Sequence, residues 1–208
     1  MKTVVRYALV VACSFNLSFA SDGDFFLRAE VRKSAVPPPA PIPMVYDDGT
    51  PAWLTWSGSY RAVWFDPYDF VMEPLINYYL TSIEMWFFHD SNYPWDTSSF
   101  SCEIWTGDII CPVSLFESQH CTAQHYSPVS CQTENLFYVD YCFWTVLDFT
   151  QSAGGWPSLI CDATPSSSLS HSFVSDDFII WEPWTVEQSS SYSLDFPALS
   201  WGTLKTLF

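Results

Sequence analysis

The sequence predicts an all-β fold: an antiparallel two-sheet β-sandwich, jelly-roll-like and stapled by disulfides. Short runs rich in aromatic and β-branched residues alternate with Pro, Gly, Ser and Asp, which is typical of strands joined by turns. No helical period separates these runs, so the strands can bury their apolar sides only in stacked sheets. A jelly roll is favoured over an immunoglobulin-like topology because the Cys…Trp…Cys spacing of the latter is absent.

The start of the chain has the pattern of a signal peptide. Met1–Arg6 carries two basic residues, Tyr7–Leu17 is mostly apolar, and Ser18–Ala20 ends in the small-x-small pattern of a cleavage site. We therefore expect residues 1–20 to be removed and the protein to be secreted or held at the cell surface. Lipidation of Cys13 is the alternative, since Val10–Cys13 is similar to a bacterial lipobox. No later segment is long and apolar enough to be a transmembrane segment.

The rest of the chain divides into three parts. Residues 21–45 are an N-terminal arm and a Pro-rich linker, because five prolines between residues 34 and 44 favour polyproline II. The β-sandwich domain is predicted over residues 46–187, around Leu75–His89, whose centre has the composition of a buried strand. Residues 188–208 are a Ser-rich tether and a C-terminal tail.

Turn residues separate the strand candidates. Asp66–Asp69 breaks the chain before the central strand, and Gly107-Asp108 is a hairpin signal. Pro112 predicts that the strand around it lies at a sheet edge or contains a bulge. The candidates in order are Trp53–Trp56, Arg61–Phe65, the centre of Leu75–His89, Phe100–Thr106, Ile109–Phe116, Cys121–Tyr126, Leu136–Tyr141, Tyr141–Phe149, Ser158–Cys161 and Ser172–Trp181.

Acidic residues dominate the domain. The net charge of the chain is −16 at pH 7, and between Ala62 and Leu204 there are 18 Asp and Glu but no Lys or Arg. Binding to nucleic acid or to an anionic membrane surface is disfavoured, because neither phosphates nor headgroups would meet a cation there. The carboxylates of this region must be solvated, hydrogen-bonded to the backbone, or paired with a cation from solution.

Six cysteines follow the predicted leader. An even number in an exported chain predicts three disulfides, with a connectivity that the spacings leave open. The spacings resemble strand-plus-turn lengths, which favours cross-strand bridges, and buried thiols are the alternative. The absence of any C-x-x-C argues against zinc ribbons and thioredoxin chemistry. The six residues are Cys102, Cys111, Cys121, Cys131, Cys142 and Cys161.

Two segments of the domain echo each other, and in each a Glu precedes a Trp by two residues. Strand residues two apart share a face, so each carboxylate lies beside its indole. If the two strands pair, one face carries two carboxylates and two indoles, which suits a sugar ring that stacks its C–H face and donates from its hydroxyls. An aromatic loop would add to the rim, and indoles that fill the core are the alternative. The predicted ligand-binding residues are Glu84, Trp86, Trp95, Asp96, Glu103 and Trp105.

Calcium is a candidate structural cofactor, since clustered carboxylates and backbone carbonyls are its usual ligands. No EF-hand loop is present, and solvated turn acids are the alternative interpretation. No other cofactor is predicted. The candidate ligands are Asp66, Asp69, Asp176 and Asp177.

Catalysis is weakly indicated. Glu84 and Glu103 would serve as a glycosidase pair if they lay at the right separation. No nucleophile elbow, zinc-protease motif or Gly-rich phosphate loop occurs. The sequence therefore favours a protein that is not an enzyme.

Several motifs carry a resemblance to a known class of proteins. The chain resembles secreted β-sandwich modules of bacteria that are similar to carbohydrate-binding jelly rolls and end in a short C-terminal tail. The resemblance implies a fold and a surface for contacts, and it implies no catalytic residue. The motifs are Trp53–Trp56, Ile83–Trp86, Glu103–Trp105, Gly154–Ser158 and Ser175–Phe178, with a tail over Ser200–Phe208.

The function expected from the sequence is a secreted or cell-surface binding or structural module without catalysis, with a glycan as the favoured ligand. Its partners would be a polysaccharide or another surface protein. One alternative is an exported glycoside hydrolase that uses the Glu pair. Another is a structural subunit of a surface assembly, with the arm and the tail making contacts between copies.

Overall fold

The structure, a computed structural model, describes residues 25–33, 41–47, 49, 51, 53–55, 59–70, 78–88, 99–139, 141–152, 158–162 and 171–184, with the backbone alone at 53–55. The predicted signal peptide with Cys13, most of the Pro-rich linker, and the C-terminal tail lie outside the described residues. Trp95 and Asp96 lie outside them as well.

The described residues form strands, one short 3-10 helix at Pro67–Asp69, and no α-helix. No helix in this part of the chain has the length and hydropathy to cross a membrane. The strands are β1 (Leu27–Lys33), β2 (Ile42–Met44), β3 (Trp53–Thr55), β4 (Tyr60–Phe65), β5 (Tyr78–Phe88), β6 (Ser99–Asp108), β7 (Cys111–Thr122), β8 (Pro128–Tyr138), β9 (Phe143–Asp148), β10 (Ser158–Cys161), β11 (Ser172–Ser175) and β12 (Glu182–Pro183).

The first sheet is organised around β5, as the sequence predicts. Its strand order is β2-β1-β5-β10-β3, and β8 also pairs with β5. All of these pairings are antiparallel. Ile, Leu, Trp and Phe side chains fill β5 without a Gly or Pro, which suits a strand with neighbours on both edges.

The second sheet has the order β12-β11-β4-β9-β6-β7 and is also antiparallel. Pro112 lies in β7, which is the edge strand, as predicted. The β6–β7 turn is formed by Ile109 and Ile110, two residues after the expected position. Gly107 is needed for a different reason: a Cβ there would collide with the carbonyl oxygen of Cys111.

The two sheets pack face to face over one apolar core. The first sheet contributes residues such as Leu80, Ile83 and Met85, and the second contributes residues such as Val63 and Phe143. Burial of this apolar area is the main stabilising term of the fold. The all-β sandwich expectation is therefore confirmed, while the jelly-roll topology stays a prediction.

The N-terminal segment belongs to the sandwich. β1 pairs with β5 over seven positions and also with β2. Leu27, Ala29 and Val31 are buried in the core, while polar residues alternate with them. The first sheet thus includes strands that precede residue 46, where the predicted domain begins, and the domain division stays a prediction.

One of the three expected disulfides is present, between Cys121 on β7 and Cys131 on β8. Because β7 belongs to the second sheet and β8 to the first, this bridge ties the two sheets together. The expectation of further bridges is wrong, since the other four cysteines are thiols: Cys102, Cys111, Cys142 and Cys161.

Strand order accounts for the absence of further disulfides among these four described cysteines. Cys111 begins β7 and Cys142 precedes β9, and β6 lies between those two strands. Strands two apart are separated by about 10 Å, beyond the reach of a disulfide. Cys102 and Cys161 lie on different sheets, and neither faces a cysteine across its strand pairs.

Glu117 provides a second tie between the two sheets. Its carboxylate accepts hydrogen bonds from the backbone N–H of Glu134 (2.9 Å) and of Asn135 (3.1 Å), and from the Asn135 side-chain amide. Gln119 also donates to it. Burial raises the pKa of Glu117, but these hydrogen bonds outweigh it and hold the pKa below its usual value. The carboxylate thus fixes the irregular part of β8 against β7.

We expect Glu117→Ala to lower the free energy of unfolding by about 1–3 kcal/mol, because it removes charge-assisted hydrogen bonds from the partly buried N–H groups of Glu134 and Asn135. Glu117 has a lowered folded pKa, so its contribution is complete above the unfolded value and is lost as the pH falls through the folded value. Urea unfolding at neutral and acidic pH measures both effects. Glu134→Ala, which removes an exposed acid from the same region, is the control and should change stability little.

Peptide mapping should find the Cys121–Cys131 bridge and four thiols. When the protein is unfolded without reductant and alkylated, the adducts should fall on Cys102, Cys111, Cys142 and Cys161. Mass spectrometry of the digest gives the result directly. A second cystine peptide among these four residues would contradict the structure.

Candidate functional site

Each predicted Glu–Trp pair forms within its own strand. The indole Nε1 of Trp86 donates to Glu84 Oε1 at 3.0 Å, and that of Trp105 donates to Glu103 Oε2 at 2.7 Å. The two-residue spacing thus places each carboxylate beside its indole, as expected. The strands themselves do not pair, because β5 lies in the first sheet and β6 in the second. The expectation of one shared face is therefore wrong.

Glu84 and Trp86 lie on the outer side of the first sheet, away from the shared core. Trp86 is 6% exposed and offers almost no surface to a ligand. Glu84 is in register with Arg28, whose guanidinium binds Asp47 at 2.6 Å and interacts electrostatically with Glu84. A cation lies near this carboxylate and its indole is buried, so this pair is a poor candidate for a binding site.

Trp105 belongs to a row of three indoles on the outer side of the second sheet. In the strand register Trp64 on β4 faces Trp144 on β9, and Trp144 faces Trp105 on β6. The intervening positions, such as Val63 and Ile104, face the shared core. Alternation along three neighbouring strands therefore sorts the indoles onto one outer face.

The β11–β12 loop adds two rings to this row. The Phe178 ring lies 4.8 Å from that of Trp105 and 5.0 Å from that of Tyr60. The Trp181 ring lies 5.5 Å from that of Trp144. These distances are typical of favourable aromatic pairs. We call the resulting surface the aromatic patch; it consists of Tyr60, Trp64, Trp105, Trp144, Phe178 and Trp181.

Only part of the aromatic patch can meet a ligand. Trp144 is fully buried, and Trp64 and Trp181 are nearly so. Tyr60, Trp105 and Phe178 are half-buried and keep ring surface open to solvent. The buried indoles therefore support the patch, while the three half-buried rings present it.

The loop that carries Phe178 is held by Asp177. Its Oδ1 accepts the backbone N–H of Ile179 at 2.8 Å and of Ile180 at 3.0 Å, and these bonds lower the pKa of Asp177. Phe178 has a φ of 65°, a left-handed conformation that is unfavourable for a bulky residue. Such backbone strain is commonly retained where a side chain must point in one direction.

Carboxylates surround the open rings. Burial raises the pKa of the Tyr60 hydroxyl, and the charges of Asp148, Glu103 and Asp177 raise it further. Burial also raises the pKa of Glu103; Asp148 adds to this, and the hydrogen bond from Trp105 opposes it without cancelling it. The patch is thus aromatic, bordered by acceptors, and negative.

The first pair of predicted calcium ligands, Asp66 and Asp69, accepts hydrogen bonds from other groups of the chain. Asp66 Oδ1 accepts the Tyr68 N–H and caps the 3-10 helix, and Asp69 accepts the hydroxyl of Tyr46 at 2.7 Å. Burial and Asp66 raise the pKa of the Cys142 thiol to about 11, so this thiol is not an activated nucleophile.

The second pair, Asp176 and Asp177, is exposed, and an oxygen of Asp177 is occupied by backbone N–H groups. Within the described ranges, no three His, Cys, Asp or Glu residues form a group that could hold a metal ion. Calcium therefore stays a prediction without a defined site.

The proposed glycosidase pair is not assembled. Glu84 and Glu103 lie on the outer sides of opposite sheets, and stacked sheets are about 10 Å apart before side chains extend outward. Two carboxylates must flank one glycosidic bond within roughly 5–9.5 Å. These two side chains cannot do so.

Sequence reasoning missed most of the aromatic patch. Trp64 and Trp144 lie in predicted strand segments that the sequence does not connect with Trp105, and Tyr60 lies one residue before the predicted strand Arg61–Phe65. Alternation within each segment would have placed Trp64 on the opposite side from Phe65. The register between strands has no comparable signal in the sequence.

Comparisons with known proteins add no identification: no family model, no curated protein and no solved structure matches the chain. The resemblance to secreted bacterial modules therefore stays a prediction. The geometry of the site carries the functional argument.

We expect Glu103→Gln not to lower stability at neutral pH, because it removes a charge from a half-buried site and keeps an acceptor for Trp105. A raised folded pKa means that the stabilising contribution is present below the unfolded value and is lost as the pH rises through the folded value. The variant should therefore show a smaller loss of stability from mildly acidic to neutral pH. Urea unfolding measures this, with Glu134→Gln at an exposed position as the control.

Proposed function

We propose that this protein is a secreted or cell-surface binding module without catalytic activity, and that it binds a glycan at the aromatic patch. The leader pattern over residues 1–20 supports export. The supporting observation at the site is the pairing of Trp105 with Glu103 beside two further open rings.

The chemistry of the patch suits a sugar ring. One face of a pyranose presents C–H groups, which pack on an aromatic ring, while its rim presents hydroxyl donors. Trp105, Tyr60 and Phe178 supply the apolar surface. Glu103 supplies acceptor oxygens, with one already fixed by the Trp105 N–H. Such pre-organisation lowers the cost of ordering the site on binding.

The surrounding charge narrows the class of glycan. Asp148 and Asp177 lie close enough to Tyr60 to raise the pKa of its hydroxyl. No Lys or Arg occurs between Ala62 and Leu204 to receive sulfate or carboxylate groups. The proposed ligand is therefore an uncharged polysaccharide rather than an anionic one.

The proposal does not include hydrolysis. The predicted Glu pair faces opposite directions, and the carboxylates near the aromatic patch lie on an open surface. A glycosidase would need an acid and a nucleophile or base on the two sides of one bond. A binding role requires only the rings and the acceptors.

We expect Trp105→Ala to weaken polysaccharide binding about tenfold, which corresponds to about 1.4 kcal/mol and lies near the upper end of the range of about 0.5–1.5 kcal/mol for an aromatic contact. Depletion of the protein by a panel of insoluble neutral polysaccharides identifies a ligand, and calorimetry with soluble fragments gives the affinity. Tyr138→Ala, a half-exposed aromatic on the other sheet, is the matched control and should bind as the unaltered protein does.

Glu103→Gln and Glu84→Gln form a second matched pair, one on each outer face. The first should weaken binding and the second should not. Failure of the unaltered protein to bind any member of the panel would remove the glycan proposal. Equal losses in both variants would place the ligand elsewhere.

A further inference from the structure

Exposed apolar side chains concentrate on one side of the sandwich. Ten large apolar side chains are exposed in the described part of the chain, and six of them lie on the β6–β7 turn, β7 and β8. The six are Ile110, Val113, Leu115, Phe116, Leu136 and Tyr138. Scattered single residues of this kind need no explanation, but a concentration on neighbouring strands marks an interaction surface.

This side is formed by two open strand edges. Among the described strands, β7 pairs only with β6, and β8 pairs only with β5. The Cys121–Cys131 bridge and the contact between the Phe116 and Phe137 rings, 4.8 Å apart, hold the two strands next to each other. The strands are 12 and 11 residues long, which is long for edge strands.

β7 is only partly protected as an edge strand. Soluble proteins guard such edges with Lys, outward or inward charges, Pro, β-bulges or very short strands, and β7 has Pro112 and register irregularities opposite Ile104/Trp105 and Thr106/Gly107. β7 has no Lys or Arg, and its only acid, Glu117, is buried and bonded to β8. Three apolar residues occur among the four exposed positions Val113–Phe116.

We propose that β7 pairs with β7 of a second copy of this chain, antiparallel and about a two-fold axis, so that the second sheets of the two copies become continuous. A strand that pairs with itself must run antiparallel in a two-fold dimer, and the same patch then serves both partners. The unpaired N–H and C=O groups of β7 would be satisfied, and the exposed apolar side chains would be covered.

Charge and size favour a second copy as the occupant. Two chains of net charge −16 repel, so they can associate closely only where the surface carries no outward carboxylate, and β7 is such a strand. Twelve residues extend about 40 Å, and the two sheets are about 10 Å apart before side chains widen this side. The surface is therefore on the order of the 800 Å² per partner that a stable interface buries.

Sedimentation of the full chain from nanomolar to high micromolar concentration tests the proposal. The expected result is a mass of twice the chain at high concentration, falling toward the monomer on dilution. Leu115→Lys places like charges close to the two-fold axis and should reduce the population to monomer. Ile179→Lys, an equally apolar exposed site away from β7, should leave the dimer intact.

Hydrogen exchange provides the readout specific for strand pairing. The amides of β7 should be protected in concentrated samples and exchange in dilute ones, and Leu115→Lys should abolish that difference. If Leu115→Lys does not fold, Val113→Lys serves as the second variant. The proposal is overturned by a monomer at all concentrations, by a dimer that survives both β7 variants, or by β7 protection that does not depend on concentration. The last result would mean that another part of the same chain, such as residues 185–208, covers the edge.

Discussion

The central strands of the second sheet, β4, β9 and β11, are buried on both of their faces, and the rest of the structure depends on this double burial. Aromatic residues make up 19% of the chain, and they fill apolar clusters on both sides of the second sheet. Strand alternation divides them: Phe65 and Phe143 enter the shared core, while Trp64 and Trp144 turn to the other side. The β11–β12 loop covers the outer indoles and leaves Trp105 partly open. The candidate site is thus the exposed edge of a second, smaller apolar cluster, which contains Trp64, Trp144 and Trp181.

Because Lys and Arg are absent between Ala62 and Leu204, the carboxylates of this region have partners other than basic side chains from the same region. The sequence predicts that carboxylates beyond Ala62 are solvated, bonded to the backbone or paired with a cation from solution, and Glu117 and Asp177 are bonded to the backbone. Backbone N–H groups take the role that Lys or Arg would have, and both carboxylates position a strand or loop. Arg61 is fully buried over the Phe149 ring, and burial lowers its pKa to about 9. Arg61 therefore places no positive charge on the surface of the second sheet.

Local patterns in the sequence predict the features that depend on the residues of one strand alone. They placed β5 at the centre of a sheet, put Pro112 on an edge strand, and joined Trp105 to Glu103 by the two-residue period. They could not decide which strands become neighbours, because cross-strand register depends on the whole sheet. Because the neighbours of each strand are not predictable in this way, the sequence led to three errors. They are the pairing of β5 with β6, the additional disulfides and the unrecognised row of indoles.

The aromatic patch and the β7 edge lie on the same sheet, which connects the two proposals. The indole row runs across the strands toward β7, where Leu115 is in register with Trp105. If two copies join through β7, the two-fold axis is perpendicular to the continuous sheet and both patches face the same way. Two such sites separated by three strand spacings, about 14 Å, could engage one polysaccharide chain together. The second contact then becomes intramolecular, so weak binding at each patch would suffice for strong retention on a polymer.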